Sequence, residues 1–275
     1  MTDGDRLLSN RFKELSELSY KNSRYYFTDF LSPADVNILH ETLGRDEGGI
    51  VVLSGGPTHL NNDAGLIAEK NADRQDACQD MQHERVMARF GNSSDMGYEE
   101  DFPIKIVKCE PFIEKFADEL NHRDFLGALM NLGIRRETLG DIVINGHTGY
   151  IFSTEKMADY IVDNLNKVKH TNMRNSITQE LPVDAEPKLS RLNLVVSSSR
   201  ADVIVAGFTK LSRSQTLELF ADQKVSINGR VFENNSGNIN EGDIISVRGF
   251  GKFRFKKIAY HTKKDRISIE IEKYI

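Results

Sequence analysis

The sequence predicts an α+β protein of more than one domain: a helical N-terminal segment, a ferredoxin-like α/β unit in the middle, and a small C-terminal unit of two helices and a β-sheet. Three observations carry that expectation. The 275 residues make two domains at roughly 100–200 residues each. Apolar periodicity switches repeatedly between the three-and-four spacing of helices and the alternation of strands. The charge is also divided: residues 1–187 hold 20 Lys/Arg against 32 Asp/Glu, whereas residues 188–275 hold 16 against 9. Such asymmetry between halves suits a nucleic-acid-binding module joined to something else, although two ordinary solvated surfaces would give the same arithmetic.

The N-terminal segment, 1–47, reads as helical. Leu7, Leu8, Phe12, Leu15 and Leu18 form one apolar stripe over Arg6 to Ser19. Ser32-Pro33-Ala34-Asp35 supplies an N-cap with proline at the first helical position, opening a helix that runs through Leu43 and stops at Gly44. The aromatic cluster Tyr25 to Phe30 between them is expected to plug the core where the two helices pack, or else to offer a stacking surface.

The middle unit, 48–180, opens on a short apolar run, Gly49 to Leu53, closed by Ser54-Gly55-Gly56-Pro57: a buried strand and a turn. Residues 58–80 are polar and patternless and read as loop. A helix is expected over Gln79 to Phe90, then a strand over Phe102 to Cys109 closed by Pro111. Helical spacing returns over Pro111 to Leu120 and over Phe125 to Leu132, ended by Gly133. Asp141 to Asn145 and Gly149 to Phe152 flank Gly146-His147-Thr148 as a hairpin, and a helix follows from Ser153 to about Val168. Strand, helix, strand, helix, hairpin, helix suggests a ferredoxin-like sandwich. Residues 169–190, polar and holding Pro182 and Pro187, read as the connecting segment.

The C-terminal unit, 182–275, is the most informative. Leu189 to Val196 reads as a strand. Arg200 to Gly207 is a short amphipathic helix with a glycine stop, and Ser212-Arg213-Ser214-Gln215 is a capping box opening a second helix through Ala221. Lys224 to Val231 is strand, Asn-Gly turn, strand, and Gly242 to Arg248 is a turn into another strand. Ser212 caps a helix whose first amides point outward, a ready anion site. Arg213 adds a forked donor that clamps phosphate bidentately. Arg200, Lys210, Lys224 and Arg230 can lie on the same side, while Asp202 suits a structural partner of the arginines better than a phosphate contact.

The ordered set R-x-D, S-R, V-x-I-N-G-R and G-D-I-x-x-V-R within fifty residues resembles the small RNA-binding domain named after the fourth small-subunit ribosomal protein, the S-four domain. A C-terminal copy behind an acidic α/β region resembles the YlmH family of bacterial ribosome-associated proteins. The resemblance implies a non-catalytic protein that holds structured RNA (ribosomal, also transfer RNA) on the large ribosomal subunit in rescue or quality control of stalled ribosomes. It implies RNA contacts from Arg200, Lys210, Ser212, Arg213 and Gln215 on the helices. From the sheet it adds Lys224, Asn228, Arg230, Arg248 and Lys252. The protein is expected to act as a monomer without a cofactor, residues 1–180 binding RNA weakly or not at all. Arg248-Gly249-Phe250-Gly251-Lys252-Phe253 also nearly fits the aromatic RNA-stacking strand of the RRM, but Lys252 stands at an aromatic position, so we read the fit as coincidence. In an RRM-like middle unit, Tyr150 and Phe152 would be the only stacking aromatics on its strands.

The alternative is an RNA-modifying enzyme that uses the C-terminal unit for docking. His122-Arg123-Asp124 approaches the R-L-D motif of pseudouridine synthases but lacks its leucine and the Thr/Ser-Gly pair after the aspartate; Arg123 could still touch RNA. Gly48-Gly49 and Ser54-Gly55-Gly56-Pro57 flank the first strand without the helix and acidic residue of a methyltransferase. With 39% hydrophobic and 28% charged residues, the chain is neither disordered nor collagen-like. No apolar run approaches a bilayer span. Two cysteines, Cys78 and Cys109, make a disulfide scaffold or cysteine zinc site unexpected. Met-Thr-Asp-Gly-Asp-Arg lacks a secretory layout, so a cytoplasmic location is expected.

Overall fold

The computed structural model describes residues 2–43, 51–57, 66–67, 83–181, 189–262 and 266–274. They fall into two units, one within residues 1–186 and one within 187–275. The boundaries expected near 47 and 181 adjoin or lie outside the described residues, as do Gly44, the loop 58–80 apart from Leu66–Ile67, and Cys78. No described helix is long and apolar enough to cross a membrane.

The first unit begins with α1 (Asp3–Asn22), closed at its start by a capping box in which Asp5 N–H donates to Thr2 Oγ1 at 3.2 Å and Thr2 N–H to Asp5 Oδ2 at 2.9 Å. It continues through β1 (Tyr26–Leu31) into α2 (Pro33–Leu43). Ser32 caps α2: its hydroxyl donates to Asp35 Oδ2 at 2.7 Å and accepts the Asp35 N–H at 3.3 Å. The aromatic cluster is therefore a strand rather than a plug between helices. It pairs antiparallel with β4 (Val86–Phe90) in a sheet of order β1-β4-β2-β3, with β2 (Val51–Ser54) and β3 (Leu66–Ile67). Residues 83–90 were expected to be helical and are not. Every residue of β4 is buried, Val86, Ala88 and Phe90 beneath α1 and α2, and Met87 on the opposite face. A strand covered on both faces shows no alternation, so its apolar run is indistinguishable from a buried helix turn. The N-terminal helices thus share one core with β2 and β4.

After the short helix α3 (Ser93–Met96), the second sheet is assembled from β5 (Ile104–Pro111), β6 (Leu139–Asn145), β7 (Thr148–Thr154), β8 (Lys167–Val168) and β9 (Thr171–Thr178). Its order is β6-β7-β5-β9-β8, all neighbours antiparallel, with α4 (His122–Asn131) after β5 and α5 (Glu155–Asn164) after β7. That is the split βαβ arrangement of a ferredoxin-like sandwich. The hairpin forms where expected, Asn145 opposite Thr148 with Gly146 at φ +59°. Two expectations fail. Residues 111–120 hold one 3₁₀ turn, Glu114–Phe116, because Pro111 still pairs with Met173 in the sheet and, of the large apolar side chains, Phe112, Ile113 and Phe116 are exposed and only Leu120 is buried. Residues 171–178, expected to be linker, complete the sheet as β9; of its residues only Met173 contributes a large buried apolar side chain, so composition hid it.

Both helices pack on Val107, Cys109, Leu139, Ile142 and Ile151. The opposite face of the sheet is covered by the first sheet, which lays Phe30, Val52 and Met87 on Ile104, Ile106, Tyr150 and Phe152. Polar bonds fix that closure. Arg85 donates to Phe30 O at 2.7 Å and Leu139 O at 3.0 Å, while Asp141 accepts the N–H groups of Glu84 and Arg85.

The second unit is a six-stranded antiparallel sheet with two helices on one face. The strands are β10 (Leu189–Val196), β11 (Val225–Ile227), β12 (Arg230–Val231), β13 (Ile244–Val247), β14 (Gly251–His261) and β15 (Ile267–Tyr274), in the order β10-β15-β14-β13-β11-β12. The helices are α6 (Ala201–Thr209) and α7 (Arg213–Ala221), which bury Ile204, Val205, Leu219 and Phe220 against Val225, Ile245, Val247, Phe253 and Ile271. α6 ends at Lys210, left-handed at φ +59°, rather than at Gly207, which stays helical where Val196 and Leu194 pack close. The Asn228-Gly229 turn takes φ +49° and +78°, the double positive φ of a type I′ hairpin.

Candidate nucleic-acid interface

The elbow between α6 and α7 gathers Lys210, Ser212, Arg213 and Gln215. The capping box is closed within itself: the Ser212 hydroxyl donates to Gln215 Oε1 at 2.9 Å and accepts the Gln215 N–H at 3.4 Å, and Ser212 N–H donates to the same Oε1 at 3.1 Å. Ser212 and Gln215 are therefore committed to holding the helix start. Arg213 occupies the first helical position, exposed, and among the described residues its side chain makes no hydrogen bond or ion pair. The same holds for Lys210. A cation at the start of a helix works against the macrodipole, and α7 has no acidic residue in its first turn. The elbow is thus a positively charged corner without a partner of its own.

The other expected residues are not all brought to that corner. Arg200 stands at the far end of α6, about 15 Å from Lys210 along the helix axis. Its guanidinium forms a fork with the buried Asp202, Nε to Oδ1 at 3.0 Å and Nη2 to Oδ2 at 2.8 Å, which raises its pKa further. Lys224 sits past the opposite end of α7, paired with Asp222 at 2.8 Å, and Arg248 N–H donates to its carbonyl at 2.9 Å. Asn228 is spent on structure: its amide nitrogen donates to Asp243 Oδ1 at 2.8 Å and its oxygen accepts the Ile244 N–H at 2.9 Å. Arg230 is exposed beside that turn. Lys252 lies on the helix-free face of the sheet, its ammonium 5.0 Å from the Tyr274 ring, whereas the adjacent Phe253 faces the helices. Arg213 and Lys210 form one group, and Lys224 with Arg248 another.

In the first unit, the strand aromatics that could have stacked on bases are closed off: Tyr150 is 7% exposed and Phe152 fully buried. Asp124 caps α4, accepting Asn121 N–H at 2.9 Å and the Lys169 ammonium at 2.8 Å, contacts that hold its carboxyl below the usual carboxylate range. Gly55 packs against the His83 side chain. What remains open is the β9 side of the sheet, with Lys108 and Arg174 both paired to Glu110, and the loop after β5, where Phe112 and Phe116 are exposed.

Residues 98–180 match the family model described as "Putative RNA-binding domain in YlmH". The chain is 25% identical over 271 residues to "Ribosome-associated protein quality control protein P2" of Bacillus subtilis (strain 168), covering 98% of this chain and 95% of the relative. The chain is thus similar to the YlmH family, in the RNA-binding match and along nearly its whole length. A solved structure titled "Cell division protein ylmH from Streptococcus pneumoniae" is 18% identical, with a TM-score of 0.43, covering 65% of this chain and 93% of that one. The YlmH RNA-binding match falls on the ferredoxin-like part, where sequence reasoning placed no RNA site. Arg123, Tyr150 and Phe152 were the contacts considered there; Arg123 is exposed at the start of α4, whereas both rings are buried. Phe112 and Phe116 were missed because their spacing reads as the buried stripe of a helix.

Proposed function

We propose that this protein is a non-catalytic RNA-binding protein that holds structured ribosomal or transfer RNA on the large ribosomal subunit, in rescue or quality control of stalled ribosomes. Residues 182–275 act as an S-four domain and carry the phosphate contacts, and the protein works as a cytoplasmic monomer without a cofactor. The observation that carries this reading is the α6–α7 elbow, where an unpaired arginine occupies the first turn of a helix against its dipole. Stability alone disfavours that placement, and a phosphate there would reverse the sign of the effect. The ordered S-four motifs, the excess of 16 Lys/Arg over 9 Asp/Glu in residues 188–275, and the name of the Bacillus subtilis relative support it.

The test is association of the full chain with purified large subunits and with structured ribosomal RNA across a salt series. Affinity should fall linearly in log–log form, as phosphate neutralisation releases counterions. Binding that ignores salt, or no association with either, would overturn the reading.

A further inference from the structure

The YlmH RNA-binding match lies on residues 98–180, yet the strand aromatics of that sheet are closed under Phe30, Val52 and Met87. RNA meeting this part of the chain must therefore use another surface. The loop after β5 leaves Phe112 64%, Ile113 59% and Phe116 76% exposed. This loop is tied down at several points. Phe112 N–H donates to Asn172 O at 3.1 Å, Asp118 N–H to Thr171 Oγ1 at 2.9 Å, and His170 N–H to Asp118 Oδ2 at 3.0 Å, while the Glu114–Phe116 turn closes on itself. Two rings are thus held out into water by a braced loop instead of folding onto the core, an arrangement that costs solvation unless something covers them.

We propose that Phe112 and Phe116 form a stacking platform for unpaired RNA bases, a surface that rests on the RNA-binding reading above and extends it to the ferredoxin-like part. One cation suited to the backbone of a stacked strand stands beside a ring: the Lys115 ammonium is 5.9 Å from the Phe116 ring centre. Arg174, on the β9 strand to which Phe112 is bonded, is held by Glu110. The nearby carboxylates of Glu110, Asp118 and Asp124 are each engaged by protein donors. Glu114 and Glu119 stay exposed, so affinity here comes from stacking rather than phosphate neutralisation.

The experiment uses the full chain, short single-stranded oligo(A) and oligo(U), and a blunt RNA duplex as probes. The variants are F112A/F116A, F112L/F116L and F116W; the chain has no tryptophan, so the last carries a local reporter. Both double variants should lose about 5- to 150-fold in affinity for the single strands, the range of one base–aromatic stack, with duplex binding, salt slope and melting temperature unchanged. The tryptophan at 116 should quench with single strands and not with duplex. Leucine variants that bind like wild type would mean an apolar protein-docking patch and overturn the proposal. So would unchanged binding by the alanine variants, or an unquenched reporter while wild type still binds. Wild type that binds neither probe, while still associating with ribosomal RNA or large subunits, would overturn the platform alone; loss of those associations too would overturn the RNA reading itself.

Discussion

Replacing Arg213 by alanine separates binding from folding more cleanly than any other change in the C-terminal unit. Its guanidinium is exposed and makes no side-chain bond among the described residues, so no native interaction is lost with it. The capping box beneath it, Ser212 to Gln215, uses neither the Arg213 side chain nor its N–H. Removing a cation from the first turn relieves an unfavourable dipole interaction of about 0.3–1 kcal/mol, so the melting temperature should hold or rise slightly. Binding should weaken instead: a hydrogen bond to a charged group contributes about 1.5–3 kcal/mol. That is roughly a 10- to 150-fold loss in affinity for structured RNA or large subunits. The salt slope should fall by about one as one phosphate contact disappears. R213K should recover only part, since an ammonium cannot fork across two phosphate oxygens. R200A is the contrast: it strips the buried Asp202 of its bidentate partner, so its first effect should be a lower melting temperature. Equilibrium binding at several salt concentrations, with calorimetric melting as control, measures all three. R213A that is folded and binds RNA with wild-type affinity and slope would refute the phosphate clamp, and a fall in its melting temperature would make Arg213 structural.

Three further predictions concern the ferredoxin-like part. A Cβ at Gly149 would come within 2.6 Å of two ring atoms of the buried Phe125, so G149A should cost about 1–3 kcal/mol and lower the melting temperature by roughly 2–12 °C; an unchanged value would mean the packing there is loose. Asp124 is held below the ordinary carboxylate range first by Lys169, so its contribution is present above the unfolded value of about 3.9 and lost as pH falls through the lower folded value. The melting-temperature gap between wild type and D124N should therefore stay level from neutral pH to about 5 and shrink below about 4, and a gap that widens in acid would contradict the pairing. Burial pushes the Cys109 thiol up and leaves no exposed surface, so in a C78S background the folded protein should resist a thiol reagent that labels it promptly in denaturant; equal rates would place Cys109 at the surface.

Features with a local chemical cause were legible from the sequence. The caps at Ser32 and Ser212, the Gly146 turn and the Asn228-Gly229 hairpin each follow from a few adjacent residues that satisfy or bend the backbone at that point. What could not be read depends on distant partners. β4 lost its alternation because α1 and α2 cover one face and the second sheet the other. β9 looked like linker because only Met173 among its residues is a large buried apolar side chain, while Asn172, Arg174 and Ser176 face water. The loop 111–120 looked helical because spacing alone cannot tell an inward stripe from side chains held outward. At the candidate interface, Arg213 was visible from its place beside a capping serine. Asp202 as a structural partner of the arginines was also legible, and it forks with Arg200; the spending of Asn228 on Asp243 and Ile244 was not.

Closure of the second sheet bears on how the two units would divide the work of holding RNA under the proposed function. An open ferredoxin-like sheet offers central-strand aromatics to bases, and in this chain Tyr150 and Phe152 are instead committed to a core with Phe30 and Met87. Opening that face would expose a cluster of large apolar side chains and break the Arg85 bonds to Phe30 O and Leu139 O, so the strands do not serve as a latent RNA surface. Residues 1–187, with 32 acids against 20 bases, also cannot hold a polyanion by charge alone. Base stacking at the loop after β5 needs no net positive field, because every base presents a π-face and the ring supplies the contact. In the proposed division the C-terminal unit, with 16 Lys/Arg against 9 Asp/Glu in residues 188–275, would supply that field. An unpaired cation at a helix start fixes a phosphate without reading a base, which suits recognition of folded RNA by its backbone. Contacts of the two kinds differ in their response to salt, so an ionic-strength series distinguishes them even within one intact protein.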